Sequence, residues 1–143
     1  MFKYIKFPII TICFLHLFSC NTTNNKPLII AFSPDSTQIV VKDINEAGLF
    51  QLKTNLNTDS AYQKLVTVLQ TPADDDSTGM EIEWKGKLSL KGNELLFTPN
   101  LPFVKGKTYL VETMLNTQFA SGEDILKDQV GTQIKPQQQT LKR

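Results

Sequence analysis

The sequence predicts an all-β sandwich of about seven short strands, with one possible short helix. Three observations support this. Apolar and polar residues alternate with a period of two over residues 80–91, as in a strand that has one wet face. The dipeptide Gly92-Asn93 is typical of the two-residue turn that joins the strands of a hairpin. Further β-type runs recur at intervals of roughly 8 to 12 residues, the spacing of a sandwich.

The first part of the domain is predicted to hold two clear strands and two ambiguous segments. The apolar run LIIAF, residues 28–32, stops at the turn cluster SPDS, and the β-branched run QIVVKDI, residues 38–44, is the next strand. The sequence NEAG then breaks the pattern, after which residues 49–53 form a possible third strand. The spacing of apolar residues in 58–70 fits a helix, whereas the composition of the second half of this segment fits a strand. We expect a short helical turn that leads into a strand.

The alternating segment is followed by the clearest strands. Lysines at positions 85, 87 and 91 lie on its wet face, which is typical of an edge strand protected by charge. Residues 94–98 (ELLFT) return from the hairpin turn and end at Pro99, and a turn-rich link over residues 100–107 leads to a strand at 108–115.

Beyond residue 115 the pattern weakens. Residues 121–130 could hold one helical turn, and residues 132–135 a final edge strand. The glutamine-rich residues 136–143 are predicted to be a flexible tail. The predicted sandwich domain therefore covers residues 28–135.

The first twenty residues, MFKYIKFPIITICFLHLFSC, have the pattern of a secretory signal peptide. Two lysines precede an apolar run of 12 residues, which is shorter than the roughly 20 that cross a bilayer as a helix. The segment ends in Leu-Phe-Ser-Cys, which resembles the bacterial lipobox. This resemblance implies that residues 1–19 are removed as a lipoprotein signal peptide. It also implies that Cys20 receives a diacylglyceryl group and usually a third acyl chain, such as palmitate.

Lipid on Cys20 would decide where the protein resides. Several acyl chains hold a protein on a membrane stably, so the domain needs no membrane-binding surface of its own. Residues 20–27 (CNTTNNKP) are then a polar tether between lipid and fold. Asn21 follows the cysteine where some Gram-negative inner-membrane lipoproteins have Asp, which favours the outer membrane by analogy. We expect a lipid-anchored cell-envelope protein that faces the periplasm or the surface.

Removal of the leader leaves few residues suited to catalysis. The whole sequence has 15 basic and 14 acidic side chains, and the leader contains two lysines and no carboxylate. The remaining chain therefore has 13 basic and 14 acidic side chains. Such a mixed surface gives no footprint for nucleic acid. His16, the one histidine, is lost with the leader, and Cys20 is the one cysteine left. Histidine- or thiolate-based catalysis, zinc binding by these residues and a disulfide are thereby excluded. We expect no enzyme and no cofactor.

A second resemblance concerns residues 92–110, GNELLFTPNLPFVKGKTYL. This sequence looks like the signature of bacterial immunoglobulin-like (Big-type) domains, in which a strand closes on Phe-Thr-Pro and Gly-x-x-Tyr opens the next strand. Residues 30–34 (IAFSP) are similar to the first strand of that family. The resemblance implies an immunoglobulin-like β-sandwich in which Phe97 seals one end of the core. Tyr109 would be buried, with its hydroxyl bonded back to the preceding link as in a tyrosine corner.

The resemblance has limits and implies no catalytic residues. Residues 45–76 depart from the family pattern and could be an insertion. Such domains mostly serve as spacers, adhesin modules or binding accessories, and a fold by itself is not a function.

One acidic cluster, TPADDDSTG at residues 71–79, is a candidate cation site. Asp74 and Asp76 occupy alternate positions, like the first half of an EF-hand loop. The rest of that pattern fails, because Lys85 stands where the bidentate glutamate belongs. A solvated loop is therefore the favoured interpretation, and the two aspartates are weak metal candidates.

Three aromatic residues are candidate binding residues. Trp84, Tyr62 and Phe103 could each offer a ring to a sugar or a partner. The alternation of Trp84 with Met80 and Ile82 instead favours the buried face of a strand, and the position of Phe103 in a link favours a cap on the core.

Two classes of function remain open. The first is a non-enzymatic binding or scaffold module that contacts another envelope protein through a sheet edge or the inter-strand loops. The alternative is a glycan-binding accessory lipoprotein for polysaccharide capture or adhesion. Exposure of Trp84 distinguishes them, since a buried ring favours the protein partner.

Overall fold

Eight strands, one α-helix and one 3-10 helix lie within the residues that the computed structural model describes, namely 27–73, 76, 78–115 and 136–143. In chain order they are β1 (Ile29–Phe32), β2 (Ile39–Lys42), α1 (Glu46–Asn55), the 3-10 helix (Ser60–Lys64), β3 (Val66–Gln70), β4 (Ile82–Glu83), β5 (Gly86–Lys91), β6 (Glu94–Pro99), β7 (Thr108–Thr113) and β8 (Gln137–Lys142).

The strands form two antiparallel sheets of four. The first sheet has the order β1-β2-β6-β5 and the second has the order β4-β3-β7-β8. Side chains alternate between the two faces of a strand, and the inward-facing residues of both sheets meet in one core. Its fully buried members include Ile39, Val41 and Leu95 from the first sheet and Val68 and Val111 from the second. The predicted all-β sandwich is confirmed.

The predicted strands at β1, β2, β5, β6 and β7 are confirmed, and so is the hairpin turn at Gly92-Asn93. Gly92 has a φ of 62°, the left-handed region that favours glycine, and Lys91 pairs directly with Glu94 across the turn. The expectation of a helical turn followed by a strand in residues 58–70 is also confirmed, as the 3-10 helix and β3. Strand β5 lies at the edge of its sheet, where the alternating lysines predicted it.

The predicted third strand at residues 49–53 is wrong, because this segment lies in the helix α1. The side chain of Asn45 accepts a hydrogen bond of 2.6 Å from the backbone N–H of Gly48, which caps the first turn. Glu46 in the first turn and Lys53 in the last turn complement the helix dipole. Leu52 then inserts into the end of the core. The supposed break at NEAG is thus the start of a helix.

The predicted flexible tail is wrong over residues 137–142, which form β8. All six residues pair with β7, from Gln137 opposite Thr113 to Lys142 opposite Thr108. Leu141 packs against the core from this edge position. Three predicted features lie outside the described residues: the helical turn in residues 121–130, the strand at 132–135 and the proposed leader.

Glutamine side chains occupy both edges of the first sheet. At β5, Gln63 accepts a hydrogen bond of 2.8 Å from the backbone N–H of Leu88 and donates one of 3.2 Å to its carbonyl oxygen. Beside β1, Gln137 accepts a bond of 3.0 Å from the N–H of Leu28 and donates one of 2.7 Å to the carbonyl of the same residue. Each amide therefore binds one backbone residue as a neighbouring strand would, which leaves the N–H and C=O of that residue unavailable to an added strand.

We expect Gln63→Ala to lower the free energy of unfolding by about 1 to 2 kcal/mol, because it removes the partners of two backbone groups at Leu88 and of the carbonyl of Leu56. Urea unfolding measures this loss. The control is Gln139→Ala, an exposed change in β8 that should cost less than about 0.5 kcal/mol. Equal stability of the two variants would show that the Gln63 amide contributes nothing to the edge.

Aromatic rings close one end of the core. The ring of Tyr109 lies 4.8 Å from that of Phe103 and 6.3 Å from that of Phe32, both edge to face. Tyr109, Phe103 and Phe97 are buried. The Tyr109 hydroxyl accepts a hydrogen bond of 2.8 Å from the backbone N–H of Val104, so the expected bond back to the preceding link is confirmed.

The hydroxyl and the ring of Tyr109 should make separate contributions to the free energy of unfolding. Tyr109→Phe removes only the bond to Val104 and should cost about 1 kcal/mol of unfolding free energy. Tyr109→Ala also empties a fully buried site and should cost about 3 to 5 kcal/mol. Urea unfolding measures both, with exchange of the Val104 amide hydrogen as a local readout. Unchanged exchange at Val104 in Tyr109→Phe would contradict the role of the hydroxyl.

Candidate functional site

The sandwich has two ends. At one end, the chain enters the sandwich at Leu28, next to the pair formed by Ile29 and Lys42. This end also includes the Gly92-Asn93 turn, and we call it the entry end. The opposite end, which we call the loop end, consists of residues 33–38, 71–81 as far as they are described, and 100–107. The aromatic contacts of Tyr109 with Phe103 and Phe32 hold the two sheets together there.

Four exposed apolar side chains lie in the loop end or, for Ile82, directly beside it at the start of β4. Their exposed fractions are 84% for Met80, 58% for Ile82, 66% for Leu101 and 44% for Val104. We call these four residues the apolar rim. The other large apolar side chains with high exposure are Ile29 in β1, Phe50 in α1 and Met114, which follows β7.

Trp84 connects the apolar rim to the core. Its indole Nε1–H donates a hydrogen bond of 3.0 Å to the carbonyl oxygen of Leu101, and its ring lies 5.6 Å from the ring of Tyr109. The Tyr109 hydroxyl in turn holds the backbone of Val104. The backbone of two rim residues, Leu101 and Val104, is therefore held by the polar groups of a packed pair of aromatic rings.

The prediction that Met80 and Ile82 share a buried face with Trp84 is wrong. Strand β4 has only two residues and lies at the edge of its sheet. Ile82 pairs with Gln70, near the end of β3, whereas the N–H of Trp84 bonds to the carbonyl of Val68, which is buried. Only Trp84 therefore reaches the core. The sequence did not predict that Leu101 belongs to this surface, although apolar residues in a turn-rich link are a usable signal.

A groove of about 390 Å³ lies beside Trp84, where the chain passes from β4 in one sheet to β5 in the other. Trp84 packs against the core but is only half-buried, so part of its ring lines the groove. The lining also includes apolar residues of the core and the polar side chains of Gln63, Lys64, Thr67, Glu83, Lys85 and Asn100. The side chains of Lys85 and Asn100 make no hydrogen bond or ion pair with any described residue.

The other two aromatic candidates are engaged elsewhere. Phe103 is 2% exposed and caps the core, as its favoured interpretation predicted, so its ring offers no face to a ligand. The hydroxyl of Tyr62 accepts a bond of 3.2 Å from Asn55 and lies 3.3 Å from the side-chain oxygen of Gln51. Tyr62 thus ties the 3-10 helix to α1, and the structure does not bring it together with Trp84.

The acidic loop is organised by its own hydrogen bonds. Asp76 accepts bonds from the hydroxyl and the backbone N–H of Thr78, at 3.0 and 3.1 Å, and these bonds lower the pKa of Asp76 below its ordinary value. Asp74, the second candidate ligand, lies outside the described residues. Across the described part of the chain, no three histidine, cysteine, aspartate or glutamate side chains lie together in a way that could hold a metal ion.

No protein-family model matches the chain, and searches of curated proteins and of solved structures also return no match. The resemblances to the lipobox and to immunoglobulin-like domains consequently rest on their motif residues. Among the helices of the described residues, none has the length and apolar composition needed to span a bilayer.

Proposed function

We propose that the protein is a lipid-anchored, non-enzymatic binding or scaffold module of the bacterial cell envelope. In this proposal Cys20 is lipidated, with the outer membrane as the favoured location, and the domain contacts another envelope protein. The apolar rim at the loop end is the observation that supports the contact most directly.

The position of the rim suits a protein held by its N-terminus. Residues 20–27 lead from the proposed lipid to the entry end of the sandwich, and the rim lies at the other end. Strands β6 and β7 have six residues each, so the entry end and the loop end lie roughly 20 Å apart. A partner could therefore approach it without meeting the membrane.

The chemistry of the rim favours a protein as the occupant. Exposed apolar groups that lie together and are bordered by polar residues are typical of protein interfaces. The indole N–H of Trp84 and the hydroxyl of Tyr109 already have partners, so the backbone at Leu101 and Val104 is held before binding. A preorganised surface loses less conformational entropy when a partner binds.

Intact-mass measurement of protein extracted from membranes tests the anchor. We expect a chain that begins at Cys20 and has the added mass of acyl chains. Cys20→Ala should give either an uncleaved precursor or released protein, since the site of lipid attachment is lost. A mature chain that begins elsewhere, or has no acyl mass, would contradict this part of the proposal.

Site-specific photo-crosslinking in cells tests the contact. A crosslinker at Leu101 should give a discrete protein adduct, whereas one at Phe50, which is equally exposed at 67% but lies on α1, should not. Met80→Ser should weaken the Leu101 adduct by about tenfold or more, as expected when an apolar anchor of an interface is removed. Equal adducts at both positions, or none at Leu101, would count against the rim.

The alternative, a glycan-binding accessory lipoprotein, is favoured by one specific observation. The groove beside Trp84 combines part of an indole ring with the side chains of Lys85 and Asn100. A sugar ring could stack on such a surface and bond to its polar groups. Glycan-dependent Trp84 fluorescence that is lost in Asn100→Ala, together with no adduct at Leu101, would support this alternative over the protein partner.

A further inference from the structure

A polar cleft of about 210 Å³ at the loop end is surrounded by positive charge. Residues 71–73 form one side, the turn at residues 105–108 forms the other, and Lys142 closes it. Lys105, Lys107 and Lys142 all line the cleft, and all three are exposed. This cleft is separate from the groove beside Trp84 and shares no residue with it.

The pairing of the last two strands brings these lysines together. Lys142 lies directly opposite Thr108 in the register of β7 and β8. The N–H of Arg143 bonds to the carbonyl oxygen of Lys107 at 3.0 Å, and the N–H of Gly106 bonds to a main-chain oxygen of Arg143, the last residue of the sequence, at 2.8 Å. Gly106 has a φ of 81°, so the turn can reverse between Lys105 and Lys107.

The charges of the three lysines are not neutralised by the described residues. The salt bridge found there joins Lys42 to Glu94, on the first sheet and away from the cleft. Of the two described carboxylates in the neighbouring loop, Asp76 is bonded to Thr78, and Glu81 makes no ion pair with a described residue. Like charges that lie together without counter-charges repel one another, and a bound anion relieves that repulsion. The chain as a whole has a formal charge of only +1, so the cluster does not reflect general basicity.

We propose that this cleft binds a multiply charged oxyanion, a phosphate or sulfate group. Its volume of about 210 Å³ leaves room for such a group. Three ammonium groups and the Thr108 hydroxyl can donate charge-assisted hydrogen bonds to its oxygens. Arg143 lies beside the cleft, where its Nη1 donates a hydrogen bond of 2.7 Å to the carbonyl oxygen of Phe103. This ligand is additional to the protein partner proposed above and does not depend on the lipid anchor.

Titration of the purified full-length protein with inorganic pyrophosphate tests the proposal, by calorimetry and by the amide resonances of residues 106–108. We expect saturable binding with shifts confined to the cleft. The double variant Lys107→Gln/Lys142→Gln should weaken it at least about tenfold, because two charged donors are lost. The matched control, Lys53→Gln/Lys87→Gln, removes two exposed lysines from α1 and β5 and should change the affinity by less than about twofold.

A second titration with heparin, a sulfated polysaccharide, distinguishes a free anion from one attached to a polymer. Binding of pyrophosphate indicates recognition of the group itself, and binding of heparin alone indicates that a polymer must present it. Either supports the proposal if Lys107→Gln/Lys142→Gln weakens it. The proposal is overturned if neither probe shifts the cleft amides, or if the control variant loses as much affinity. It is also overturned if pyrophosphate or heparin binds only to the double variant Asp74→Asn/Asp75→Asn. That result would mean that the protein's own carboxylates, and not an external anion, neutralise the lysines.

Discussion

The loop end depends on the burial of one tyrosine. Tyr109 lies fully inside the sandwich, where its ring contacts Phe103, Phe32 and Trp84, and its hydroxyl binds the backbone of Val104. A buried hydroxyl must have a partner, and the link between β6 and β7 supplies it by folding back over the ring. That single arrangement closes the core and positions the backbone of the link. The exposed apolar residues that follow from it are the ones we propose as a binding surface.

Glutamine side chains bind the backbone at both edges of the first sheet. Both edges of the first sheet have a glutamine amide bound to the backbone of one residue, Leu88 at β5 and Leu28 beside β1. Exposed strand edges promote association of chains, and a side chain that bonds both the N–H and the C=O of a residue withdraws those two groups from pairing. The second sheet has β4 and β8 at its edges.

Local pattern was sufficient for much of the fold. Alternation, the Gly92-Asn93 turn and the β-branched runs predicted β1, β2, β5, β6 and β7, because each of these signals is contained within one strand or one hairpin. The aromatic core was expected from the resemblance of residues 92–110 to a family signature, and the link before Tyr109 is short enough for its hydroxyl to reach it. The proposed leader, including Cys20, is likewise a local pattern that needs no tertiary context to be recognised.

Long-range pairing decided the rest. The sequence QQQTLK has no apolar alternation and became a strand because β7 offered it six partners and Gln137 could bond to Leu28, 109 residues away. Residues 49–53 became part of a helix because the cap at Asn45 and the space at the end of the core suited one. Met80 and Ile82 stayed exposed because β4 is a short edge strand. The sequence by itself determined the fold class and the proposed anchor, whereas the apolar rim and the lysine cleft exist only where separate strands end together.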